Sequence, residues 1–336
     1  MSQPIHLSID AMGGDQGSRL VVLATLAFLK SRPDVVVTLV GDESDIQQHI
    51  PSTVGESLLA RICFLHTDNT VGMAERAGDV LRSKQSSSMW QAIALVADAK
   101  ADACVSGGNT GALMAIGCKL IKTFDGVRRP AICKLIPTYT GTSLLLDLGA
   151  NINCSAGQLE QFGVMGSALA QLSGVAKPSV ALLNIGTERS KGSSTIQAAA
   201  EALRQREGIN FTGFIEGNDL YSGKVDVVVC DGLVGNVALK VSEGVANFVF
   251  SSLAEAFLSS WWGRFSGWMA RPVLSHWRRS FNPSRYNGAA FLGLRRTLVK
   301  SHGGADQLGF EQALHVAVTQ VLARIPERIE SCLKQG

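Results

Sequence analysis

The chain has 336 residues, of which 46% are hydrophobic and 18% are charged, and its formal net charge is +3. This length can build a large buried core, and the 35 glycines suit an α/β protein with many turns. The small net charge, without a basic-aromatic motif, excludes nucleic acid as the expected partner. The seven cysteines include no C-x-x-C pair and are expected to be small buried hydrophobes in a reducing cytoplasm.

One unit recurs in chain order: a short apolar run, a glycine-rich loop and a helix-like segment. The apolar runs are Leu7–Asp10, Val35–Val40, Ala103–Val105, Leu144–Leu146, Val180–Leu183 and Val227–Val229. This alternation predicts an α/β fold with a mostly parallel, doubly wound sheet covered by helices on both faces. Ligands bind at the carboxyl ends of strands in such sheets, and the glycine loops fall there.

The chain is expected to form one bilobed unit over residues 1–336. One lobe would contain residues 1–140 plus 300–336, and the other residues 141–299. Two helix-like segments, Val241–Ser260 and Phe265–Arg279, interrupt the α/β rhythm, with Trp-Trp-Gly between them. They predict a projecting helical hairpin over about 241–285, whose second arm Pro272 would start or kink.

The loop from Ser106 to Gly111 is the best candidate for a phosphate cradle. Its glycines let backbone N–H groups approach an anion, and Ser106, Asn109 and Thr110 add side-chain donors. Neither a Walker A loop nor a G-x-G-x-x-G fingerprint is present, so a tight turn without a ligand is the alternative. Arg129, just before a strand, can clamp a phosphate, and Lys191 lies where another strand loop opens a helix.

Three acids follow predicted strands: Asp10, Asp15 and Asp231. Such carboxylates can bind a metal, transfer protons or cap the next helix, and the capping or bracing role is favoured here. The six histidines have no ligand spacing, so we expect no protein metal site. A G-x-S-x-G nucleophile elbow is also absent. These features favour a site that holds a small anion against another substrate, as acyl transfer from a thioester to phosphate requires.

Residues 256–305 contain no Asp or Glu but eight cations and four of the five tryptophans. Trp beside Arg suits a membrane–water interface, while an acidic protein partner or a solvated basic face over a core helix are the alternatives. The expected membrane contacts are Trp261, Trp262, Trp268, Arg278 and Arg279. The chain shows no secretory signal, and its apolar stretch 245–262 is interrupted by Glu255 and serines. We therefore expect a cytoplasmic protein that associates peripherally with the membrane.

Seven motifs occur in order over residues 5–325. They are Ile9–Asp15, Val105–Met114, Arg129–Ala131, Leu148–Asn151, Asn184–Gly186, Asp231–Lys240 and Lys300–Gly303. Together they resemble the bacterial phosphate acyltransferase family of phospholipid synthesis. The resemblance implies conversion of acyl–acyl carrier protein and inorganic phosphate into acyl phosphate, with Lys191 and Asn236 as the catalytic pair. It places Asn109 and Arg129 at the anion site.

The same resemblance implies a fold similar to phosphotransacetylase and isopropylmalate dehydrogenase, a homodimer and no cofactor. It also implies membrane association through the hairpin, and a membrane glycerol-3-phosphate acyltransferase that consumes the product. Three alternatives remain open: a phosphotransacetylase-like enzyme that uses coenzyme A thioesters, a decarboxylating dehydrogenase of the related fold, and a membrane-recruited scaffold without activity. The dehydrogenase needs metal-binding carboxylates and a nucleotide loop, which the sequence lacks.

Overall fold

The computed structural model describes residues 3–280 and 282–335, without the side chains of residues 173 and 275–280. Its strands form one sheet of 11 strands in the order β3-β2-β1-β4-β11-β10-β5-β6-β9-β7-β8. The strands are β1 Ile5–Asp10, β2 Val35–Gly41, β3 Ile62–His66, β4 Ala103–Ser106, β5 Ala131–Thr138, β6 Gly141–Leu146, β7 Ser179–Leu183, β8 Asn210–Ile215, β9 Val227–Val229, β10 Ala289–Leu292 and β11 Thr297–Lys300.

Helices connect most of these strands, and several begin at a side chain that accepts a backbone N–H of the first turn. The helices are α1 Gly17–Ser31, α2 Glu43–Gln48, α3 Glu56–Leu59, α4 Ala77–Ser83, α5 Ser88–Ala97, α6 Thr110–Leu120, α7 Ala156–Ala170, α8 Ser194–Gln205, α9 Gly232–Leu258, α10 Trp261–Ser280, α11 Gln307–Leu322 and α12 Ile325–Lys334. The capping side chains are Asp42, Ser87, Asn109, Ser155, Ser193, Asp231 and Asp306.

The sheet reverses direction in its middle. Strand β10 pairs antiparallel with both β11 and β5, and β5 pairs antiparallel with β6. The other pairings are parallel, so the predicted mostly parallel α/β sheet is confirmed. The carboxyl ends of β1, β4 and β11 therefore lie along one side of the sheet, which we call the first edge. The carboxyl ends of β6, β7 and β9 lie along the opposite side, the second edge. The division into two lobes stays a prediction.

Helices cover both faces of the sheet, as the apolar strands require. One face packs against α5 and α6, and Ala238 and Leu239 of α9 join the same cluster. The other face packs against α1 and α11 on one half of the sheet and against α7, α8 and α12 on the other half. Both α6 and α9 therefore lie on the same face.

Helices α9 and α10 form the predicted hairpin, but with different bounds. The first arm begins at residue 232 rather than 241, because Asp231 accepts the N–H of Val234 at 2.9 Å and starts the helix directly after β9. Pro272 lies inside α10 and does not start it. Among the residues described, α9 is the one helix long and apolar enough to cross a membrane by length and composition alone. The side chains of Arg278 and Arg279 lie outside the described residues.

Candidate active site

The loop after β6 is built around a buried carboxylate, Asp147. Its Oδ1 accepts the N–H groups of Ile132, Leu148 and Ala150, and its Oδ2 accepts the backbone and side-chain N–H of Asn151, all at 2.7–3.2 Å. Burial raises the pKa of Asp147, and these hydrogen bonds oppose that shift. Every partner is a donor, so the ionised carboxylate fits this environment and fixes the loop at the second edge.

This loop holds Asn236 through close backbone contacts. Gly149 has φ +110°, and a Cβ there would lie 3.7 Å from the Cβ of Asn236. The N–H of Gly232 donates to the carbonyl of Asn151 at 2.7 Å, and a Cβ on Gly232 would lie 2.8 Å from the nitrogen of Gly149. Only glycine permits this approach. The predicted catalytic Asn236 is thus placed against loop 147–151, while Asp231 caps α9.

Lys191 lies in the loop that follows β7, the strand next to β9. The side-chain amide of Asn184 donates to the carbonyls of Gly186 and Lys191, both at 3.1 Å, which closes the loop. Lys191 folds back over Gly186: a Cβ added to Gly186 would lie 3.1 Å from the Cγ of Lys191. Lys191 is exposed. Lys191 and Asn236 therefore share the second edge: Lys191 lies in the loop after β7, and Asn236 lies near the start of α9, which follows the adjacent parallel strand β9.

Arg129 also reaches the second edge, because β5 runs antiparallel to β6 and begins where β6 ends. Its Nη2 donates to the carbonyl of Ala150 at 3.2 Å and lies 3.8 Å from the sulfur of Met114 in α6. The guanidinium thereby contacts the same loop as Asn236. Three of the predicted site residues are brought to one edge of the sheet.

Two buried carboxamide oxygens at this edge have no hydrogen-bond partner among the described residues: Oδ1 of Asn151 and Oδ1 of Asn184. The amide nitrogens of both side chains donate within the protein, which fixes each oxygen as the free acceptor. Buried polar groups are normally paired, so unpaired acceptors in two loops of one edge indicate a place for bound water or a ligand.

The first edge contains the predicted acid Asp10 and the predicted cradle. Ser106 Oγ donates to Asp10 Oδ2 at 2.6 Å, and Ser88 Oγ donates to Oδ1 at 2.7 Å. Burial raises the pKa of Asp10, against these two hydrogen bonds. Lys300 donates to the carbonyls of Gly107 and Ser301. Burial lowers the pKa of Lys300 to about 8, although Asp10 and Asp15 oppose the shift.

The Asn109 side chain of this cradle is also engaged within the protein. Asn109 accepts the N–H of Ala112 at 3.0 Å, and its amide donates to the carbonyls of Met73 at 2.8 Å and Glu75 at 2.9 Å. The backbone N–H of Asp15 donates to Gly303 at 2.9 Å. Thr110 is the first residue of α6 and is half-buried. The geometry at this edge is that of a braced junction of four loops, which follow β1, β3, β4 and β11.

Helices α6 and α9 connect the two edges. Helix α6 begins at the first edge and reaches Arg129 with Met114, whereas α9 begins at the second edge and pairs Glu243 with Lys134 of β5 at 3.8 Å. Lys134 and Glu243 line a cavity of about 240 Å³ together with His302, from the loop after β11. Burial lowers the pKa of Lys134.

Lys134, Glu243 and His302 were not among the predicted site residues. A lysine inside the otherwise apolar run Ala131–Pro137 was the available signal, because a buried charge needs a partner. Burial also lowers the pKa of His302, whose Nδ1 accepts the N–H of Gly304 at 3.1 Å. That hydrogen bond assigns the remaining ring hydrogen to Nε2.

One surface group among the described residues has metal-ligand atoms within 4.8 Å of one another: Asp42, His66 and Asp68. It lies at the carboxyl ends of β2 and β3. Asp42 caps α2 by accepting the N–H of Ser44 at 3.0 Å, so its carboxylate has a structural role already. Exposed acids of this kind carry no argument for a bound ion.

Solved structures with the same fold include two acyl-transferring enzymes. A phosphotransacetylase from Streptococcus pyogenes has a TM-score of 0.66 at 14% identity and covers 96% of this chain and 95% of its own. A branched-chain phosphotransacylase from Enterococcus faecalis has a TM-score of 0.57 at 17% identity, covering 94% and 99%. At these identities the likeness concerns the fold alone, and it confirms the predicted phosphotransacetylase-like architecture.

Sequence comparison is far more specific. The family model described as "Fatty acid synthesis protein" matches residues 5–328. A phosphate acyltransferase from Teredinibacter turnerae is 61% identical over 99% of this chain and 100% of its own length. Another, from Saccharophagus degradans, is 54% identical over 99% of this chain and 97% of its own. The predicted family is thus confirmed and the non-enzymatic scaffold is excluded: the chain belongs to the phosphate acyltransferase family and is an acyltransferase.

Proposed function

We propose that the protein transfers a fatty acyl group from an acyl carrier protein thioester to inorganic phosphate, and that the acyl phosphate formed serves phospholipid synthesis. The names of the relatives support phosphate as the acceptor, and the family model supports a fatty acyl substrate. The observation that carries the proposal is the second edge. There Arg129 and Asn236 both lie against loop 147–151, and Lys191 lies in the loop after β7, the strand next to β9.

The second edge offers the charges that this reaction needs. Arg129 and Lys191 supply cations for the phosphate, and the amide of Asn236 can donate to the thioester oxygen. The Ser106–Gly111 cradle is the weaker phosphate site, because the side-chain donors of Ser106 and Asn109 and the N–H of Gly108 are paired within the protein beside the buried carboxyl of Asp10.

The proposed reaction needs no covalent enzyme intermediate. A phosphate oxygen attacks the thioester carbonyl carbon, and the carbonyl oxygen becomes an oxyanion held by Asn236 and Lys191. The oxyanion collapses, the carbon–sulfur bond breaks, and the proton of hydrogenphosphate ends on the departing thiolate. The products are acyl phosphate and the free carrier thiol. The protein contributes positioning and charge stabilisation.

The acyl donor separates this proposal from its main alternative, transfer from coenzyme A. The purified protein should be incubated with palmitoyl-acyl carrier protein or palmitoyl-coenzyme A, each with and without phosphate, and acyl phosphate should be trapped with hydroxylamine. We expect phosphate-dependent product with a higher kcat/KM for the carrier-protein donor. A higher kcat/KM for the coenzyme A thioester would favour the alternative, and thioester loss without acyl phosphate would refute phosphate as acceptor.

We also propose that the hairpin brings the enzyme to the membrane surface. Trp261, Trp262 and Trp268 are each more than 60% exposed, and the first two stack at 3.8 Å between ring centroids. An exposed aromatic surface beside arginines suits the interfacial region of a bilayer. Localisation there would deliver acyl phosphate to a membrane glycerol-3-phosphate acyltransferase. We propose in addition that the protein is a homodimer, as the family resemblance implies.

A further inference from the structure

The inner side of α9 runs from the proposed reaction centre towards the hairpin. Residues 236, 239, 243 and 246 follow the i, i+3, i+7, i+10 spacing of one helix face. Asn236 lies against loop 147–151 at the start of this face. Leu239, Glu243 and Ala246 are half-buried, although most of α9 is exposed. One partly buried face of α9 therefore extends from the proposed site along the helix.

This face borders a cavity of about 350 Å³ between α9 and β5, which we call the α9 groove. Leu239 and Ala246 line it from α9, and Ile136 and Pro137 line it from β5. Its lining is mainly apolar, with Lys134 and Glu243 at the border that it shares with the polar cavity beside His302. An apolar pocket of this size with a few polar groups at one side is typical of a site for an amphiphilic small molecule.

We propose that the α9 groove binds the methylene chain of the acyl group, with the thioester carbonyl at Asn236. This inference rests on the function proposed above, since it assigns the apolar part of that substrate. A helix rises about 1.5 Å per residue, so Asn236 and Ala246 are about 15 Å apart along α9. A long acyl chain spans that distance and a short one does not.

The groove is continuous with the exposed apolar surface of the hairpin. Val241 and Val245, which line the groove, are 59% and 55% exposed. Phe248 and Trp261 continue the apolar surface further along the hairpin, at 71% and 67% exposure. A product whose chain lies in the groove thus has an apolar path from the reaction centre to the proposed membrane contact.

Enlarging the side chain at residue 246 tests the inference. Ala246→Trp fills the groove, whereas Ala254→Trp adds the same side chain at an exposed position of α9 that lines none of the cavities described. Both variants and the wild type should be assayed with phosphate and a donor series from butyryl- to palmitoyl-acyl carrier protein. We expect Ala246→Trp to lower kcat/KM for palmitoyl at least about tenfold and to move the optimum to shorter chains. The control should keep the wild-type profile.

The outcomes separate the two proposals. If the wild type forms no acyl phosphate from any donor, the proposed function is wrong. If the wild type is active and Ala246→Trp keeps its chain-length profile or lowers all donors equally, the groove does not bind the chain. An altered sedimentation coefficient with that unchanged profile would assign the groove to a second copy of the chain instead.

If Ala246→Trp does not melt cooperatively, and so is not folded, a second variant tests the inference. Leu239→Ala removes apolar contacts from the same groove without adding bulk. It should raise KM for the palmitoyl donor at least about tenfold and leave the butyryl donor within about twofold of wild type. Equal effects on both donors would overturn the inference.

Discussion

Replacing Asp147 by Asn is expected to destabilise the protein by about 3–6 kcal/mol. Asp147 Oδ2 accepts two N–H groups of Asn151, at 2.7 and 2.8 Å. An asparagine carbonyl can take the place of Oδ1, but its NH₂ group would then face both donors of Asn151. A hydrogen bond to a charged group contributes about 1.5–3 kcal/mol, and two of them are lost. Whole domains are stable by only about 5–15 kcal/mol.

The free energy of unfolding should be measured by urea denaturation followed by circular dichroism at neutral pH. Asp231→Asn is the matched control at the same edge, because within the described part of the chain the Asp231 carboxylate accepts only the helix N–H of Val234. Asparagine caps a helix about as well as aspartate, so the control should change stability by less than about 0.5 kcal/mol. A loss below about 1 kcal/mol for Asp147→Asn, or an equal loss in both variants, would refute the reasoning.

Four further predictions concern catalysis, pH and the membrane. Lys191→Ala should lower kcat about 100- to 1,000-fold with an unchanged melting temperature, and near wild-type turnover would remove Lys191 from the mechanism. Asn236→Asp should be slower than Asn236→Ala, because a carboxylate repels phosphate; the reverse order of kcat would contradict this role. The pKa of Lys300 is about 8 in the fold and 10.5 when unfolded, so the unfolded chain holds one more proton between these values. The stability of wild type relative to Lys300→Met should therefore rise from pH 8 to 10.5 in urea titrations, and a constant difference would contradict the lowered pKa. Replacing Trp261 and Trp262 by Ser should release the protein from anionic vesicles at low and high salt, and unchanged flotation would exclude them as the anchor.

The fold class was predictable because each apolar strand is followed by a glycine loop and a helix. The reversal in the sheet was missed, although a local signal existed. Strand β5 ends at Thr138 and β6 begins at Gly141, so two residues connect them, which is the length of a tight antiparallel hairpin. That hairpin moves the start of β5, and with it Arg129, to the second edge.

The candidate site was predictable only in part. Lys191 and Asn236 follow adjacent strands and so share an edge, as the strand-loop pattern suggests. The loop sequence 106–111 does not reveal that Ser106 and Asn109 are engaged by distant residues: Ser106 binds Asp10, which is 96 positions earlier in the chain. Whether a glycine loop is free to bind an anion depends on such tertiary contacts, and local sequence does not contain them.

The central claim is that phosphate itself attacks the acyl thioester. Incubating the wild-type protein with palmitoyl-acyl carrier protein and phosphate labelled with heavy oxygen at every position, followed by mass spectrometry of the product, tests it directly. We predict acyl phosphate in which every oxygen on phosphorus, including the bridging one, carries the label, because the carbon–sulfur bond is the one that breaks. Free palmitate without acyl phosphate, or an acyl phosphate that lacks the label in its bridging oxygen, would contradict the proposed reaction.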